Sequence, residues 1–298
     1  MDFLINSSKI YIKNKSYVSR IINGLTEGGT KNLTVISDFD YTISRYRDDN
    51  GNQNLTTHQI FKLGTEISNP NLGKKLIKYH NKYFPLEYSK DLTRDEKIPL
   101  MEEWWKLSQG AIAEERLHYD KITDIVMTNN IELRKNFCEF VKSLNLSNVP
   151  FIVFSAGIGN VIDIILKKKM RLNENNIHII SNTMIFNHDN VCVNFSEPVI
   201  HTFSKNYTAI KENNPILNIV KNRNNVLLMG DSLGDVDMEI NKNRKGNTLK
   251  VGYLNFDINN LLQKYMNCYD IVCVDDQTME IPQYILKIIE NGVYVDEL

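Results

Sequence analysis

From about residue 146 to the end of the chain, short apolar runs alternate with helical patterns, and this alternation restricts the fold more than any other feature. Runs rich in Val, Ile and Leu that alternate with helices are typical of parallel βαβ units covered on both faces. We therefore predict an α/β fold. The predicted strands cover 149–155, 177–181, 226–230, 249–253 and 271–274, and the predicted helices cover 160–169, 259–267 and 278–290.

One more strand is predicted far upstream, at Leu33–Ser37, and only helical patterns follow it until residue 146. Thr93 and Glu96 have the spacing of a capping box. A helical stretch that interrupts an α/β sheet just after its first strand indicates an inserted cap, which would lie over the carboxyl ends of the strands. We expect a Rossmann-like parallel sheet core from 1–50 and 146–298, and an all-helical cap domain from 51–145. The helices of the cap are predicted at 56–66, 71–84, 94–117 and 131–144.

Composition excludes several classes of partner. The chain has 298 residues, 42% of them hydrophobic, with 35 Lys plus Arg and 36 Asp plus Glu, so its net charge is −1. This charge favours neither a nucleic-acid polymer nor an anionic membrane as a partner. The start of the chain, residues 1–6, lacks the features of a secretory signal, and no apolar run is long enough to cross a membrane. We expect a cytoplasmic monomer whose four cysteines are reduced.

Two aspartates, Asp38 and Asp40, follow the first predicted strand in the run S-D-F-D-Y-T at 37–42. A carboxylate at Asp38 can attack phosphorus as a nucleophile, and Asp40 can give a proton to the departing alkoxide and take one from water. Two carboxylates in one loop can also converge on a cation. Taken alone, the motif is equally open to a simpler interpretation, because Asp is a common turn residue at strand ends.

A second motif, at 151–160, is a strand that enters a turn of small residues before a helix. The hydroxyl of Ser155 and the main-chain N–H of Ala156 could bind phosphate oxygens there. An ordinary strand-to-helix turn is the alternative, since glycine turns are frequent in βα units.

A third motif combines acids with a distant lysine. Asp231 follows another apolar strand and could complete a Mg²⁺ site with Asp38 and the main-chain carbonyl of Asp40. Asp235 could orient Lys205 or bind a metal-bound water, and Lys205 could supply a positive charge to a phosphate oxygen. Helix-capping acids and a solvated lysine are the alternatives for these residues taken singly.

The four motifs together favour phosphoryl chemistry. Enzymes that hydrolyse phosphate monoesters accelerate the reaction by up to the order of 10²¹-fold, whereas one acid or base supplies about 10²- to 10⁴-fold. A nucleophile, a metal, a cation and donors for the phosphate oxygens are therefore needed together. The chain provides all of them, in the order Asp-x-Asp, Ser, Lys and Gly-Asp-x-x-x-Asp.

This order resembles the haloacid dehalogenase superfamily, and longer stretches resemble its cytosolic 5′-nucleotidase III group. The resemblance implies Mg²⁺-dependent hydrolysis of nucleoside 5′-monophosphates through an aspartyl-phosphate, with a phosphotransferase side reaction. The substrates it implies are chiefly pyrimidine nucleotides, and for some members 7-methylguanosine monophosphate. The stretches are S-D-F-D-Y-T-I-S-R at 37–45, M-E-E-W-W at 101–105, F-S-A-G-I-G at 154–159 and G-D-S at 230–232.

By position, the resemblance makes Asp38 the nucleophile and Asp40 the acid/base. It assigns phosphate binding to Ser155, Ala156 and Lys205. It assigns Mg²⁺ to Asp38, the carbonyl of Asp40 and Asp231.

In the cap, the resemblance makes Glu87 a candidate for reading the base, and His58 matches another position near the base. Helical spacing puts Trp104 on the face packed into the cap and Trp105, with Ser108, on a different face. Trp105 could stack on a base, and an indole would favour an electron-poor one. A surface glutamate, a solvent-facing histidine and a second buried aromatic remain alternatives.

Two other functions remain open. A phosphatase of the same superfamily could act on another small phosphate ester, such as a sugar phosphate. A catalytically inactive nucleotide-binding module could also use this fold, although every catalytic position carries the required residue type.

Overall fold

The computed structural model describes residues 8–68, 70–87, 89, 91–129, 131–169, 171, 175–241 and 244–296. The first six residues, for which no targeting signal is predicted, lie outside this set. No helix in the described ranges is both long enough and apolar enough to cross a membrane. All four cysteines are free thiols, as expected, and two of them are buried.

Nine strands and ten α-helices alternate along the described chain. The strands are β1 (Ile10–Tyr11), β2 (Leu33–Ser37), β3 (Phe151–Ile158), β4 (Ile177–Asn182), β5 (Met184–Phe186), β6 (Cys192–Phe195), β7 (Asn225–Gly230), β8 (Thr248–Leu254) and β9 (Ile271–Val274). The helices are α1 (Lys15–Gly28), α2 (Thr57–Ser68), α3 (Pro70–Glu87), α4 (Arg94–Glu114), α5 (Tyr119–Thr128), α6 (Phe137–Leu146), α7 (Gly159–Ile164), α8 (Ile216–Val220), α9 (Ile258–Cys268) and α10 (Glu280–Glu290).

One seven-stranded sheet organises the core, in the order β1-β9-β8-β7-β2-β3-β4. Every neighbouring pair is parallel except β1 with β9. Strand β2 lies between β7 and β3, with Val35 opposite both Leu227 and Phe151. The α/β fold with a parallel sheet is thereby confirmed. Because these three strands are parallel and in register, their carboxyl ends meet at one edge.

Apolar clusters cover both faces of the sheet, as the uniformly buried strands require. One cluster includes Val35, Phe151 and Leu227 with residues of α1, α6 and α10, and the other includes Ile36, Ile152 and Leu228 with residues of α8 and α9. The alternation of odd and even positions along β2 therefore decides which layer of helices each side chain contacts.

The helical insertion leaves the core after β2 and returns before α6. Its two crossings pair with each other, because the Arg45 N–H donates to the Glu132 carbonyl at 2.8 Å and the Arg134 N–H donates to the Ile43 carbonyl at 2.9 Å. Helices α2 to α5 lie within this insertion. The boundary at residue 145 stays a prediction, and the ring of Phe137 in α6 lies 5.9 Å from that of Phe151 in the sheet.

Element boundaries differ from the predictions where tertiary contacts override local pattern. The helix predicted at 131–144 begins only at Phe137, because 132–134 pair with 43–45. The long helix ends at Glu114 rather than at 117, and α1, α5 and the β5-β6 hairpin were not predicted. Strand β3 continues to Ile158, three residues beyond the predicted end.

The predicted capping box at the start of α4 is confirmed. The hydroxyl of Thr93 accepts from the Glu96 N–H, and the Glu96 carboxylate accepts from the Thr93 N–H at 2.8 Å. These two bonds satisfy main-chain donors that a helix start otherwise leaves to water.

We predict that Thr93→Ala lowers the free energy of unfolding by about 1 kcal/mol, because an alanine cap leaves a main-chain donor unpaired. Urea denaturation measures this change, and Thr93→Ser serves as the control that keeps the hydroxyl. Equal stability of the alanine and serine variants would contradict the role of the cap.

Candidate active site

The carboxyl ends of β2, β3 and β7 bring three predicted site residues to one edge of the sheet. Asp38 follows β2, Ser155 lies near the end of β3, and Asp231 follows β7. The Asp38 N–H donates to the Met229 carbonyl at 3.0 Å, which continues the pairing of β2 with β7 by one more residue. The sheet itself therefore holds Asp38 beside the loop that begins at Asp231.

Lys205 joins this edge from the long connection between β6 and β7. Its ammonium lies 2.5 Å from Oδ1 of Asp38 and 2.7 Å from Oδ1 of Asp235. The other oxygen of Asp235 accepts hydrogen bonds from the N–H and hydroxyl groups of Ser232, at 2.9 and 2.8 Å. Asp235 thus contacts Lys205, and its role in the site stays a prediction.

Burial governs the electrostatics of this cluster. It raises the pKa of Asp38 to about 7, although the charge of Lys205 acts in the opposite direction. Burial also raises the pKa of Asp231 well above its usual value, and the neighbouring Asp38 adds to this shift. For Lys205, burial alone would lower the pKa, but the carboxylates of Asp235 and Asp38 outweigh it and raise the pKa. A further cation at this edge would favour the ionised carboxylates.

The donor set fits a hard divalent cation. Oxygen atoms of Asp38, Asp231 and Asp235 lie within 4.8 Å of one another. Both carboxylate oxygens of Asp235 accept hydrogen bonds, one from Lys205 and the other from Ser232. The Asp231 carboxylate accepts no hydrogen bond from the described residues. An unengaged carboxylate beside a second one is the arrangement in which Mg²⁺ or a similar cation finds its oxygen ligands.

Asp40 is held by the insertion rather than by the sheet. The hydroxyl and the N–H of Thr57, the first residue of α2, donate to the two oxygens of Asp40 at 2.7 and 2.8 Å. Burial raises the pKa of Asp40 to about 6, while the Thr57 bonds lower it. Sequence analysis did not single out Thr57, because its only signal is its place at a helix start, far from Asp40 in the chain.

The turn after β3 has the small-residue geometry that its sequence predicts. The Gly157 N–H donates to the Ser155 hydroxyl at 3.0 Å. A Cβ at Gly157 would lie 2.3 Å from the Thr57 hydroxyl oxygen and 3.2 Å from Oδ2 of Asp40. Only glycine therefore allows the turn, Thr57 and Asp40 to approach one another without displacement.

The Ala156 carbonyl is the point where the insertion meets this turn. It accepts from Nε1 of Trp105 at 3.1 Å and from Nδ2 of Asn182 at 2.8 Å. Nε2 of His58 lies 3.5 Å from the same oxygen, and the His58 ring contacts Trp105 edge-on at 5.9 Å. The solvent-facing alternative for His58 is therefore wrong. Asn182 was not predicted, since nothing in its sequence context distinguishes it from other strand-end asparagines.

The predicted packing of the two tryptophans is wrong. Trp105 is 9% exposed and packs with Tyr83 and Met101, whereas Trp104 is only half-buried. The predicted core stripe fails at Leu107 too, which is 37% exposed. The buried face of α4 is the one that contains Met101 and Trp105, and the Ala156 carbonyl accepts from the buried indole N–H. Substrate binding by Trp105 stays a prediction.

The two remaining cap candidates lie in different environments. Oε1 of Glu87, at the end of α3, accepts from the Thr202 hydroxyl at 2.5 Å, and burial raises the pKa of this carboxyl. Glu87 thus contacts the segment that leads to Lys205. Ser108 is half-buried, and its hydroxyl makes no hydrogen bond to the described residues. Both roles in substrate binding stay predictions.

Solved structures with the same fold place the molecule in a class. A protein of Vibrio cholerae provisionally named a phosphoserine phosphatase superposes with a TM-score of 0.56 at 15% identity, over 90% of this chain and 68% of that chain. This likeness concerns the fold alone. Together with the sheet described above, it defines an α/β protein that gathers Asp38, Lys205, Asp231 and Asp235 at the carboxyl edge of its parallel sheet.

Closer relatives narrow the class. The family described as pyrimidine 5′-nucleotidase (UMPH-1) matches residues 41–290. A Caenorhabditis elegans protein provisionally named cytosolic 5′-nucleotidase 3 is 38% identical over 98% of this chain and 78% of its own length. The human 7-methylguanosine phosphate-specific 5′-nucleotidase is 33% identical over 96% of this chain and 95% of its own length. The chain belongs to the pyrimidine 5′-nucleotidase family and is an enzyme, a phosphoric monoester hydrolase.

A crystal structure of cytosolic 5′-nucleotidase IIIB bound to cytidine superposes with a TM-score of 0.87. The two chains are 32% identical, and the match covers 97% of this chain and 95% of the other. The family resemblance found in the sequence motifs is thereby confirmed over nearly the whole chain.

We predict that Gly157→Ala lowers kcat/KM by roughly 100-fold, because the added methyl displaces Thr57 or Asp40 by about 1 Å. Phosphate release in a steady-state assay measures the change. Gly110→Ala is the matched control, since a Cβ at Gly110 meets nothing within 4 Å and favours the helix. Equal activity in the two variants would contradict the close approach described for the turn.

Proposed function

We propose that this enzyme hydrolyses nucleoside 5′-monophosphates to nucleoside and phosphate through an aspartyl-phosphate on Asp38, with Mg²⁺ bound beside it. Pyrimidine nucleotides and 7-methyl-GMP are the proposed substrates, which the names of the relatives support. The observation that carries the proposal is the ammonium of Lys205 between the carboxylates of Asp38 and Asp235. This arrangement leaves Asp38 able to attack and keeps a positive charge where phosphate oxygens would lie.

In the first step, a carboxylate oxygen of Asp38 forms a bond to phosphorus as the bond from phosphorus to the nucleoside 5′-oxygen breaks. Asp40 gives its proton to that departing oxygen. Burial raises the pKa of Asp40 to about 6, closer to neutral pH than that of a free carboxyl, which suits a group that gives and takes a proton.

In the second step, water attacks the phosphorus of the aspartyl-phosphate and Asp38 leaves as a carboxylate. Asp40, now ionised, takes the proton from the water. A nucleoside hydroxyl in the place of water would give a phosphotransferase side reaction by the same route. The ratio of hydrolysis to phosphotransfer depends on how well the closed cap excludes water.

Asp38, the main-chain carbonyl of Asp40 and Asp231 are the proposed Mg²⁺ ligands, with Asp235 in support. The free carboxylate of Asp231 supports this set. When bound, Mg²⁺ would neutralise charge on the phosphate and polarise its oxygens.

Ser155, the N–H of Ala156 and Lys205 are the proposed phosphate-binding groups. Glu87, Trp105 and Ser108 are the proposed contacts to the nucleoside from the cap side. The contact of Trp105 with the Ala156 carbonyl supports this division, since it places the indole directly beside the phosphate-binding turn. We also propose a cytosolic location, which the name of the Caenorhabditis elegans relative supports, and a monomeric state.

We predict that Asp38→Asn abolishes turnover of CMP, UMP and 7-methyl-GMP, because an amide cannot form the covalent intermediate. Phosphate release with Mg²⁺ measures the rates, and Asp189→Asn, an exposed aspartate in the β5-β6 hairpin, is the control. Equal rates for wild type and Asp38→Asn would overturn the mechanism. Turnover of sugar phosphates alone would support the alternative phosphatase, and tight CMP binding without turnover would support the inactive module.

We predict that Asp231→Asn raises the Mg²⁺ concentration needed for half-maximal activity by at least about tenfold, since one charged ligand is lost. Activity measured against Mg²⁺ concentration after chelation gives this midpoint. A Thr93→Ser enzyme should keep the wild-type midpoint. An unchanged midpoint in Asp231→Asn would exclude Asp231 as a ligand.

A further inference from the structure

A buried arginine lies beneath the loop that contains Asp40. Arg134 is 1% exposed and follows the stretch where the chain returns from the insertion. Its guanidinium makes no salt bridge to any described carboxylate; its partners are main-chain carbonyls and one amide. A cation buried without an ionic partner costs free energy, so this arrangement calls for a reason beyond packing.

The guanidinium reaches the carbonyls of two separate loops. Nε donates to Thr42 and Nη2 to Tyr41, both at 2.6 Å, while Nη1 donates to the carbonyl of Asp276. Nη2 also donates to Oδ1 of Asn255 at 3.1 Å. The planar fork of an arginine can serve these directions at once, which the ammonium of a lysine cannot.

The residues that Arg134 binds are those that follow Asp40 directly. Tyr41 has a φ of 62°, in the left-handed region that a residue with a side chain rarely adopts. Such a conformation costs on the order of 1–3 kcal/mol and persists only when its surroundings enforce it. The Tyr41 carbonyl accepts from Arg134 and from Nδ2 of Asn255 at 3.1 Å, and the Tyr41 N–H donates to the Ser44 hydroxyl at 2.8 Å.

A ring closes the other side of the guanidinium. The Arg134 carbon Cζ lies 3.7 Å from the centre of the Tyr253 ring, which is fully buried. Cation–π attraction and the four acceptors together leave the guanidinium a single orientation. Thr57 fixes the carboxylate of Asp40 from the insertion, and Arg134 fixes the main chain next to it from below.

We propose that Arg134 is a positioning residue, whose guanidinium holds the Tyr41–Thr42 main chain so that Asp40 keeps its place for proton transfer. This inference rests on the proposed role of Asp40 as acid and base. Arg134 would thus act on proton transfer by Asp40, although it touches neither substrate nor phosphate.

The test is a double-mutant cycle between Arg134→Lys and Asp40→Asn, with kcat and KM measured for CMP and Mg²⁺. We expect Arg134→Lys to lower kcat by about 10- to 100-fold and to change KM by less than about threefold. The substitution moves Asp40 away from its position for proton transfer but leaves the substrate-binding residues in place. In the Asp40→Asn background, where no proton transfer remains to be positioned, the same substitution should lower kcat by less than about twofold.

Arg223→Lys is the matched control. Arg223 also donates to three main-chain carbonyls, those of Thr30, Leu33 and Asn148, but it does so near the start of β2, at the far end of that strand from Asp38. We expect it to lower the melting temperature less than Arg134→Lys does, because Arg223 is only half-buried, while kcat stays at the wild-type value. Should Arg134→Lys not fold, Asn255→Ala removes a second holder of the Tyr41 carbonyl and should give a smaller fall in kcat that also vanishes with Asp40→Asn.

Three outcomes would overturn the proposal: a kcat unchanged in Arg134→Lys, an equal fall in kcat for Arg223→Lys, or a loss that persists undiminished in the Asp40→Asn background. A wild-type rate in Asp40→Asn itself would instead overturn the proposed role of Asp40. The failure of the inference and the failure of the proposed function are thereby distinguished.

Discussion

The buried ion triad of Lys205 with Asp38 and Asp235 is the interaction on which the site depends. Two carboxylates at one sheet edge repel each other, and burial makes that repulsion stronger. The ammonium at 2.5 and 2.7 Å offsets it. Loss of the lysine would leave two buried carboxylates without compensation, and such losses typically cost 3–5 kcal/mol. The same charge that stabilises the two carboxylates is available to the oxygens of a phosphate.

Contacts from the insertion hold site residues that the sheet alone does not position. Thr57 holds the carboxylate of Asp40, and Trp105 holds the carbonyl of Ala156. Arg94 at the start of α4 adds a third link, because it forms an ion pair with Asp237 at 2.9 Å and donates to the Phe203 carbonyl at 3.2 Å. Asp40, the turn after β3 and the segment that leads to Lys205 are each contacted by the insertion, so the position of the insertion bears on all three.

Sequence analysis predicted the sheet and the meeting of Asp38, Asp231 and Lys205 at its edge, because the strands and the acids that follow them are local signals. The apolar runs specify buried parallel strands, and acids at strand ends meet wherever parallel strands do. Sequence analysis did not identify Thr57 and Arg134, because their partners lie far away in sequence and a lone threonine or arginine is usually a surface residue. The tryptophans were misassigned because both faces of the helix are apolar. Contacts with residues distant in sequence, among them the hydrogen bond from Trp105 to the Ala156 carbonyl, accompany the burial of one face, and helical spacing does not reveal them.

The pairing of residues 43–45 with 132–134 brings the two ends of the insertion side by side. A segment whose ends already touch can be exchanged for another of different length without pulling the sheet apart, since closing a longer loop adds only about 0.6 kcal/mol for each doubling. Asp38 and Lys205 belong to the core, whereas the proposed nucleoside contacts Glu87, Trp105 and Ser108 belong to the insertion. Substrate choice can therefore change with this segment in chains built on this plan, as long as the new segment keeps the contact of Thr57 with Asp40.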